Sequence, residues 1–292
     1  MIGIPGYVVQ GRLGAGGFGT VYRAERTKDD QVCAIKVQTE IRSSLGVRLF
    51  ANEIATMSHL SHPNIVSFIE VITHESKTHL VMEYCDGGDL RGLLDDYLEA
   101  GQGIFEEDVQ SIFLQVLLGL HHCHSHLKQG SIVVHRDIKP ENVLLTSGGI
   151  VKLADFGLSV TLKRRKAHAT SIVGVRTMLP HISASLRLTV KDKRLRCAGG
   201  TEAVQEIHAG HPYGTAADMF SLGCLLYEMC TFDIPTVHTN DQGTMTIEGS
   251  IPAEFSRGMQ DITCHLLNPE LLTFPTTGEW LQDIFSISEA PR

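Results

Sequence analysis

The chain has 292 residues, a formal net charge of −8 and a charged-residue content of 20%. This length is enough for one large or two small domains with a substantial buried core. The negative charge argues against a general nucleic-acid or anionic-membrane binder, although a local basic patch is compatible with it.

The cysteines and the N-terminus indicate the cellular compartment. Seven cysteines are scattered along the chain, and none forms a C-x-x-C pair. This distribution favours reduced thiols over a disulfide framework or a zinc site. The N-terminus lacks the pattern of a signal peptide, and no apolar stretch approaches the length of a membrane span. We therefore expect a cytoplasmic protein with neither a nucleic-acid nor a membrane partner.

The first motif is rich in glycine. Residues 14–21 read G-A-G-G-F-G-T-V, which fits the pattern G-x-G-x-x-G-x-V. Residues 20–24 favour a strand, so the pattern predicts two strands joined by a glycine hairpin and not the strand-to-helix turn of a dinucleotide site. Glycines without side chains would let backbone N–H groups approach a phosphate. An ordinary glycine-rich hairpin is the alternative at this point.

The next signal is a lysine within an apolar strand. Residues 32–37 alternate so that Lys36 shares a face with apolar neighbours, and a buried ammonium needs a partner. Glu53 lies on the otherwise apolar face of a helix predicted over residues 49–60. The two patterns together predict a Lys36–Glu53 ion pair that directs the ammonium towards phosphates.

The most informative motifs follow in the middle of the chain. Residues 135–142 read H-R-D-I-K-P-E-N, and residues 154–157 read A-D-F-G. They bring together two carboxylates and an amide, which phosphoryl transfer requires. Asp137 is predicted to orient the attacking hydroxyl, and Asn142 and Asp155 are predicted to hold magnesium.

Taken together, these motifs resemble those of the eukaryotic protein kinase family. Residues 81–90, V-M-E-Y-C-D-G-G-D-L, are similar to the hinge of NIMA-related kinases, as is a long loop at 123–134. Lys139, two residues after Asp137, is typical of kinases that phosphorylate serine or threonine. The resemblance implies transfer of the γ-phosphate of ATP to a protein substrate of unknown identity, with ATP and Mg²⁺ as cofactors.

The fold implied by the resemblance is α+β with two lobes. One kinase domain would span residues 7–285. Its N-lobe, a small antiparallel sheet with one helix, would cover about 7–81, and the hinge about 82–85. A mostly helical C-lobe would cover about 86–285, with an insertion at about 182–212.

The resemblance also assigns a nucleotide site. Met82 would be the gatekeeper, the backbones of Glu83 and Cys85 would bond the adenine edge, and Asp89 would accept from the ribose hydroxyls. The full set of residues is Leu13, Gly14, Gly16, Gly19, Val21, Ala34, Lys36, Met82, Glu83, Cys85, Asp89 and Leu144. Of these, Val21, Ala34 and Leu144 would enclose the adenine ring.

Internal supports follow from the same resemblance. A spine of stacked side chains would join the lobes, and Asp218 would anchor it through the His135 backbone. Its members are Met57, Phe68, His135 and Phe156. Apolar residues at helical spacing independently predict a helix over 105–124.

Beyond Gly157 the chain departs from the kinase pattern. Val175 replaces a threonine whose hydroxyl would bridge Asp137 and Lys139. His181 stands where a glutamate is usual, and Phe274 stands where its arginine partner is expected. These changes affect substrate docking and not ATP binding. They support an alternative function, a nucleotide-binding pseudokinase or scaffold.

The predicted insertion carries a basic run at 187–196. One interpretation is a docking surface for an acidic partner. The other is a solvated loop, which a long polar connection of this kind also favours.

Two hydroxyl residues form a candidate phosphorylation site in the segment after A-D-F-G, which the resemblance identifies as the activation loop. Ser171, beside Thr170, follows the basic cluster 163–166, and a phosphate there would pair with that cluster and with Arg136. Incidental loop hydroxyls are the alternative.

We expect Ser171→Ala to lower activity, with phosphate detected on the active wild type by mass spectrometry. Unchanged activity without phosphate on either residue would remove this prediction.

Overall fold

The computed structural model describes residues 3–16, 19–38, 44–125, 131–163, 214–239, 245–248 and 250–267. Its strands are β1 (Tyr7–Gly16), β2 (Gly19–Arg26), β3 (Gln31–Val37), β4 (Phe68–His74), β5 (Lys77–Glu83), β6 (Ser131–Val134), β7 (Val143–Leu145), β8 (Val151–Leu153), β9 (Val160–Lys163), β10 (Thr236–Thr239) and β11 (Met245–Glu248). Its α-helices are α1 (Ser44–Met57), α2 (Leu90–Glu99), α3 (Glu106–Ser125), α4 (Thr215–Thr231) and α5 (Arg257–Leu266). Two 3₁₀ turns, Pro140–Asn142 and Phe156–Leu158, overlap the H-R-D-I-K-P-E-N and A-D-F-G motifs.

The N-terminal part is a five-stranded sheet in the order β1-β2-β3-β5-β4. All neighbouring strands are antiparallel, which confirms the predicted sheet. β1 and β2 form the glycine hairpin, with Gly16 opposite Gly19. Alternation along β3 places Ile35 in the apolar cluster on one face of the sheet, so its neighbour Lys36 points to the other face.

The C-terminal part is built around α4. Most of this helix is buried, including Asp218, which is 0% exposed. A helix that is apolar on every side belongs in the centre of a core, and α3 and α5 pack against it. The whole arrangement is the predicted α+β fold with a sheet and a helical part. No helix in the described ranges is long and apolar enough to cross a bilayer.

Several predicted boundaries shift. α1 covers 44–57 and not 49–60, and α3 is displaced by one residue at each end from the prediction. The predicted loop 123–134 is wrong at both ends, because α3 continues to Ser125 and residues 131–134 form β6. β6 pairs with β9, which lies after the A-D-F-G motif, and a partner so distant is not visible in the local pattern.

The hinge prediction also changes. β5 continues to Glu83, so Met82 and Glu83 are the last residues of a strand and not part of a free connection. Met82 lies opposite Ala34 in the β3–β5 pairing. Met82, the predicted gatekeeper, is therefore held by the sheet itself.

α4 and α5 pack closely where Gly223 faces Leu266. A Cβ added at Gly223 would lie 2.7 Å from the Leu266 Cβ and 3.1 Å from its carbonyl carbon. Because neither atom belongs to a flexible side-chain end, the helices would have to separate.

We expect Gly223→Ala to lower the free energy of unfolding by about 1–3 kcal/mol in urea denaturation. The matched control is Gly92→Ala on α2, where the nearest atom to the new Cβ is 3.7 Å away. Since alanine favours a helix over glycine, the control is expected to be neutral or stabilising by up to about 1 kcal/mol. Equal effects of the two variants would contradict this packing argument.

Candidate active site

A buried ion pair joins the sheet to α1. The Lys36 Nζ lies 2.6 Å and 2.8 Å from the two carboxylate oxygens of Glu53, and Glu53 is 1% exposed. Burial opposes the charge on Lys36, but Glu53 and Asp155 outweigh it and raise the pKa of Lys36. Burial raises the pKa of Glu53 to about 7 even beside the ammonium, so ionised Glu53 depends on Lys36. The predicted pair is confirmed.

Lys36 also reaches the A-D-F-G motif. Its Nζ lies 3.0 Å from Asp155 Oδ1, which further accepts from the Gly157 N–H at 3.3 Å. Burial opposes ionisation of Asp155, but the Lys36 ammonium and the Gly157 amide lower its pKa. Asp155 has a left-handed φ of 59°, a conformation that costs energy outside glycine. The strain is maintained by the contacts of its side chain.

The segment 135–142, called the catalytic loop below after its predicted role, brings Lys139 and Asn142 to the carboxylate of Asp137. Asp137 Oδ2 lies 2.8 Å from the Lys139 Nζ and 2.8 Å from the Asn142 Nδ2. Asn142 Nδ2 also donates to the Asp137 carbonyl at 2.8 Å. The turn therefore fixes Asp137 and Lys139 side by side, as orientation of a hydroxyl beside a phosphate requires.

The same contacts indicate where a metal ion fits. The Asn142 amide nitrogen is used by Asp137, so the amide oxygen is the atom left to face a cation. Asp155 supplies a carboxylate that is 38% exposed. The backbone carbonyl of Asn142 accepts a hydrogen bond from the Ala154 N–H at 2.9 Å, and this contact brings the two predicted ligands, Asn142 and Asp155, together. Amide and carboxylate oxygens are ligands that Mg²⁺ accepts, so the residues fit the ion.

Asp218 fastens the start of the catalytic loop to α4. Its carboxylate accepts from the His135 N–H at 2.8 Å and from the Arg136 N–H at 2.7 Å. His124 Nε2 lies 2.8 Å from the same carboxylate. Burial opposes the charge, but the contact with His124 leads the effects that lower the pKa of Asp218. The predicted anchor is therefore present, with His124 as a partner that the sequence analysis missed.

The predicted spine is packed as expected. The His135 and Phe156 rings lie 4.6 Å apart between centroids and are tilted by 57°. Met57 and Phe156 belong to one buried cluster, and Phe68 packs against it. The sheet, α1 and the catalytic loop are thus joined by continuous packing.

The predicted nucleotide residues of the glycine hairpin lie on β1 and β2. Leu13 and Gly14 lie on β1, where Leu13 is 47% exposed, and Gly14 lies opposite Val21 of β2. A Cβ at Gly19 would lie 2.6 Å from the Val37 carbonyl oxygen, so β2 and β3 approach too closely there for any side chain. The hairpin therefore needs glycine at this position for its own packing, independently of any phosphate.

Two nucleotide residues on the helical side have additional structural roles. Asp89 Oδ1 accepts from the Gly92 N–H at 2.9 Å and so caps α2, while Asp89 forms a β-bridge with Leu144. These contacts hold the predicted ribose and adenine residues next to each other. Cys85 is buried, and burial raises the pKa of its thiol to about 11.

Glu83 has a partner that the sequence analysis did not identify. Its carboxylate pairs with Lys152 at 2.8 Å, and Lys152 is 8% exposed. The Glu83 N–H donates to the Ser67 carbonyl at 2.9 Å, which holds the backbone of Glu83 beside the start of β4. Lys152 stands in the strand V-K-L, so the signal that identified Lys36, a lysine within an apolar strand, was present here too.

Several predictions lie outside the described residues. They concern Thr170, Ser171, Val175, His181, Phe274 and the basic run 187–196 within the insertion 182–212. They remain predictions.

Comparisons with known proteins agree with this geometry. A family model for the protein kinase domain matches residues 7–181. Serine/threonine-protein kinase Nek2 of Mus musculus is 30% identical over 288 residues, which cover 94% of this chain and 59% of the relative. Nek5 of the same organism is 32% identical over 229 residues, or 78% of this chain and 31% of the relative.

A plant relative is similar at nearly the same level. CBL-interacting serine/threonine-protein kinase 9 of Arabidopsis thaliana is 29% identical over 280 residues, covering 93% of this chain and 55% of the relative. The chain thus spans only about a third to three-fifths of the length of these relatives.

Removal of the Lys36 charge provides a pH test of the ion pair. Without the Lys36 ammonium, the buried Glu53 carboxylate binds a proton on folding. Because the pKa of Glu53 is then higher in the folded than in the unfolded protein, the free energy of unfolding falls as pH rises. We expect the free energy of unfolding of Lys36→Met to fall by about 1 kcal/mol per pH unit between about pH 6 and pH 8. The measurement is urea denaturation at each pH.

The matched control is the double variant Lys36→Met/Glu53→Gln, which has no titrating carboxyl at this position. Its pH slope is expected to be flatter than that of the single variant. Equal slopes would show that Glu53 is not the titrating group.

Proposed function

The chain belongs to the protein kinase family, and we propose that it is an ATP-dependent serine/threonine kinase that phosphorylates hydroxyls of a protein substrate. The observation that carries this proposal is the complete set of charged groups at one cleft. Lys36 contacts both Glu53 and Asp155, while Asp137 contacts both Lys139 and Asn142. These are the groups that phosphoryl transfer needs for positioning and electrostatic stabilisation.

Each residue has a defined task in this proposal. Asp137 accepts a hydrogen bond from the substrate hydroxyl and orients its oxygen for attack in line with the leaving group. Lys139, which already lies against Asp137, places its ammonium where negative charge develops on the transferred group. Lys36, fixed by Glu53, contacts the phosphates that remain.

In this proposal, the nucleotide and the metal would be held by the residues predicted from the sequence. When bound, ATP supplies the phosphoryl group and Mg²⁺ neutralises its charge. Asn142 and Asp155 would hold the metal ion. The glycine hairpin would cover the phosphates, and Asp89 and the Glu83 carbonyl would contact the ribose and the adenine.

Preference for serine and threonine is supported by Lys139 and by the relatives. The resemblance to protein kinases associates a lysine at position 139 with this class, and the three relatives described above are named serine/threonine-protein kinases. The protein substrate, the partner at 187–196 and a cytoplasmic location are further proposals, because the chain covers only part of those relatives.

The pseudokinase alternative rests on Val175, His181, Phe274 and the insertion 182–212, and the comparisons do not favour it. These changes concern substrate presentation, whereas every group required for the chemistry is present and paired in the described residues. Turnover is the property that separates the two functions.

We expect the purified chain to transfer radiolabelled phosphate from ATP to a generic protein substrate. Asp137→Asn should lower kcat by about 10²- to 10⁴-fold, because the amide cannot accept the hydroxyl proton, while nucleotide affinity is retained. Nucleotide binding by the wild type without transfer above the Asp137→Asn level would favour the pseudokinase.

A further inference from the structure

Arg91 connects three elements next to the catalytic loop. It lies in the first turn of α2, two residues after Asp89. Its Nη2 lies 2.6 Å from Glu228 Oε1 on α4, and its Nε lies 3.2 Å from Glu141 Oε1. One planar guanidinium thus bonds to two carboxylates from different parts of the chain, which lysine could not reproduce with the same geometry.

The contact with Glu228 is the firmer of the two. The Glu228 side chain is 9% exposed, and burial raises its pKa against the lowering effect of Arg91. A buried carboxylate needs a cation, so Glu228 fixes where Arg91 must lie. The guanidinium is therefore held at α4 before it contacts the loop.

Glu141 is adjacent to a predicted metal ligand. It is the middle residue of the turn Pro140–Asn142, which ends at Asn142. Through Glu141, Arg91 restrains the turn that sets the orientation of the Asn142 amide. The Glu141 side chain is 47% exposed, so this second contact is weaker than the first.

The two ends of the catalytic loop are consequently fastened to the same helix. Asp218 of α4 holds the N–H groups of His135 and Arg136 at the start of the loop. Glu228 of α4, through Arg91, holds Glu141 at its end. The two acids are ten residues apart, or about 15 Å along the helix axis. α4 therefore fixes the distance between the two ends of the segment that carries Asp137 and Lys139.

We propose that Arg91 is a positioning residue that fixes Asn142 for magnesium by linking Glu141 to Glu228. This inference rests on the proposed nucleotide site, but it does not require turnover. It assigns to α2 a second role: the helix whose N-cap is the ribose residue Asp89 also secures the turn with the metal ligand. Nucleotide and metal positions are thereby coupled through one side chain.

The first test uses the protein without nucleotide. Amide hydrogen exchange of a peptide that covers residues 137–145 is measured by mass spectrometry. In Arg91→Met and Glu141→Gln the turn should open more often, and exchange should be faster by about 5-fold. Asp95→Asn is the matched control, since it removes the longer and exposed ion pair of Arg91, at 3.9 Å, and leaves the pairs with Glu141 and Glu228 in place. This control should not change exchange.

The second test measures affinity for ATP with and without Mg²⁺. Both variants should weaken the magnesium-dependent part by about 3- to 10-fold, less than the 10- to 100-fold typical of residues bonded directly to a ligand, because Glu141 is a neighbour of Asn142. Affinity without Mg²⁺ should be unchanged. Arg91→Lys should recover part of the loss, since it keeps the charge but not the fork.

A variant that removes both charges of the Arg91–Glu228 pair controls for misfolding caused by an unpaired Glu228 carboxylate. Arg91→Met/Glu228→Gln leaves no unpaired carboxylate in the core, and it should show the same magnesium defect as Arg91→Met. Unchanged exchange in Arg91→Met overturns the inference whether or not the wild type transfers phosphate. Faster exchange with unaltered magnesium-dependent affinity also overturns it, because the turn would then move without affecting the metal. Failure of the wild type to transfer phosphate, with these effects present, would count only against the proposed function.

Discussion

The buried carboxylate of Asp218 is the constraint on which the active site depends. A charge that is 0% exposed must be fully hydrogen-bonded, and this one takes two backbone N–H groups from His135 and Arg136. To present both N–H groups to one carboxylate, the chain bends sharply, and Arg136 adopts a left-handed φ of 69°. The bend determines where Asp137 begins. Catalytic geometry in this molecule therefore originates from the central helix α4 and not from the loop itself.

The sheet side of the site follows the same principle, with a different source of rigidity. Lys36 is costly to bury, and Glu53 offsets the cost only if α1 lies against β3. The third partner, Asp155, belongs to the segment that follows β8. One ammonium thus holds the sheet, α1 and the predicted metal ligand at fixed distances from one another. Of these contacts, Lys36–Asp155 is the one that links the sheet to the segment after β8.

The fold and most of the site were predictable from the sequence because their signals are local. Lys36 and Glu53 each interrupt an apolar face, and Asp137 and Asn142 are only 5 residues apart. The missed contacts join residues far apart in the chain: β6 pairs with β9, Lys152 with Glu83, and Arg91 with Glu228. An exposed-looking arginine in the first turn of a helix gives no sign of its partner 137 residues later. The ion pair between Arg91 and Glu228 becomes visible only in the folded structure.

The same separation explains why the departures at Val175, His181 and Phe274 bear on one part of the function only. Within the described residues, Lys36, Asp155 and Asp218 each have partners of opposite charge or hydrogen-bond donors. The charges of the predicted nucleotide and metal site are therefore paired within that part of the chain. A hydroxyl substrate, in contrast, must be brought to Asp137 from outside, and the fixed groups of the cleft cannot do this. In the proposed kinase, the three departures would therefore bear on presentation of the substrate hydroxyl to Asp137 and not on the phosphate chemistry.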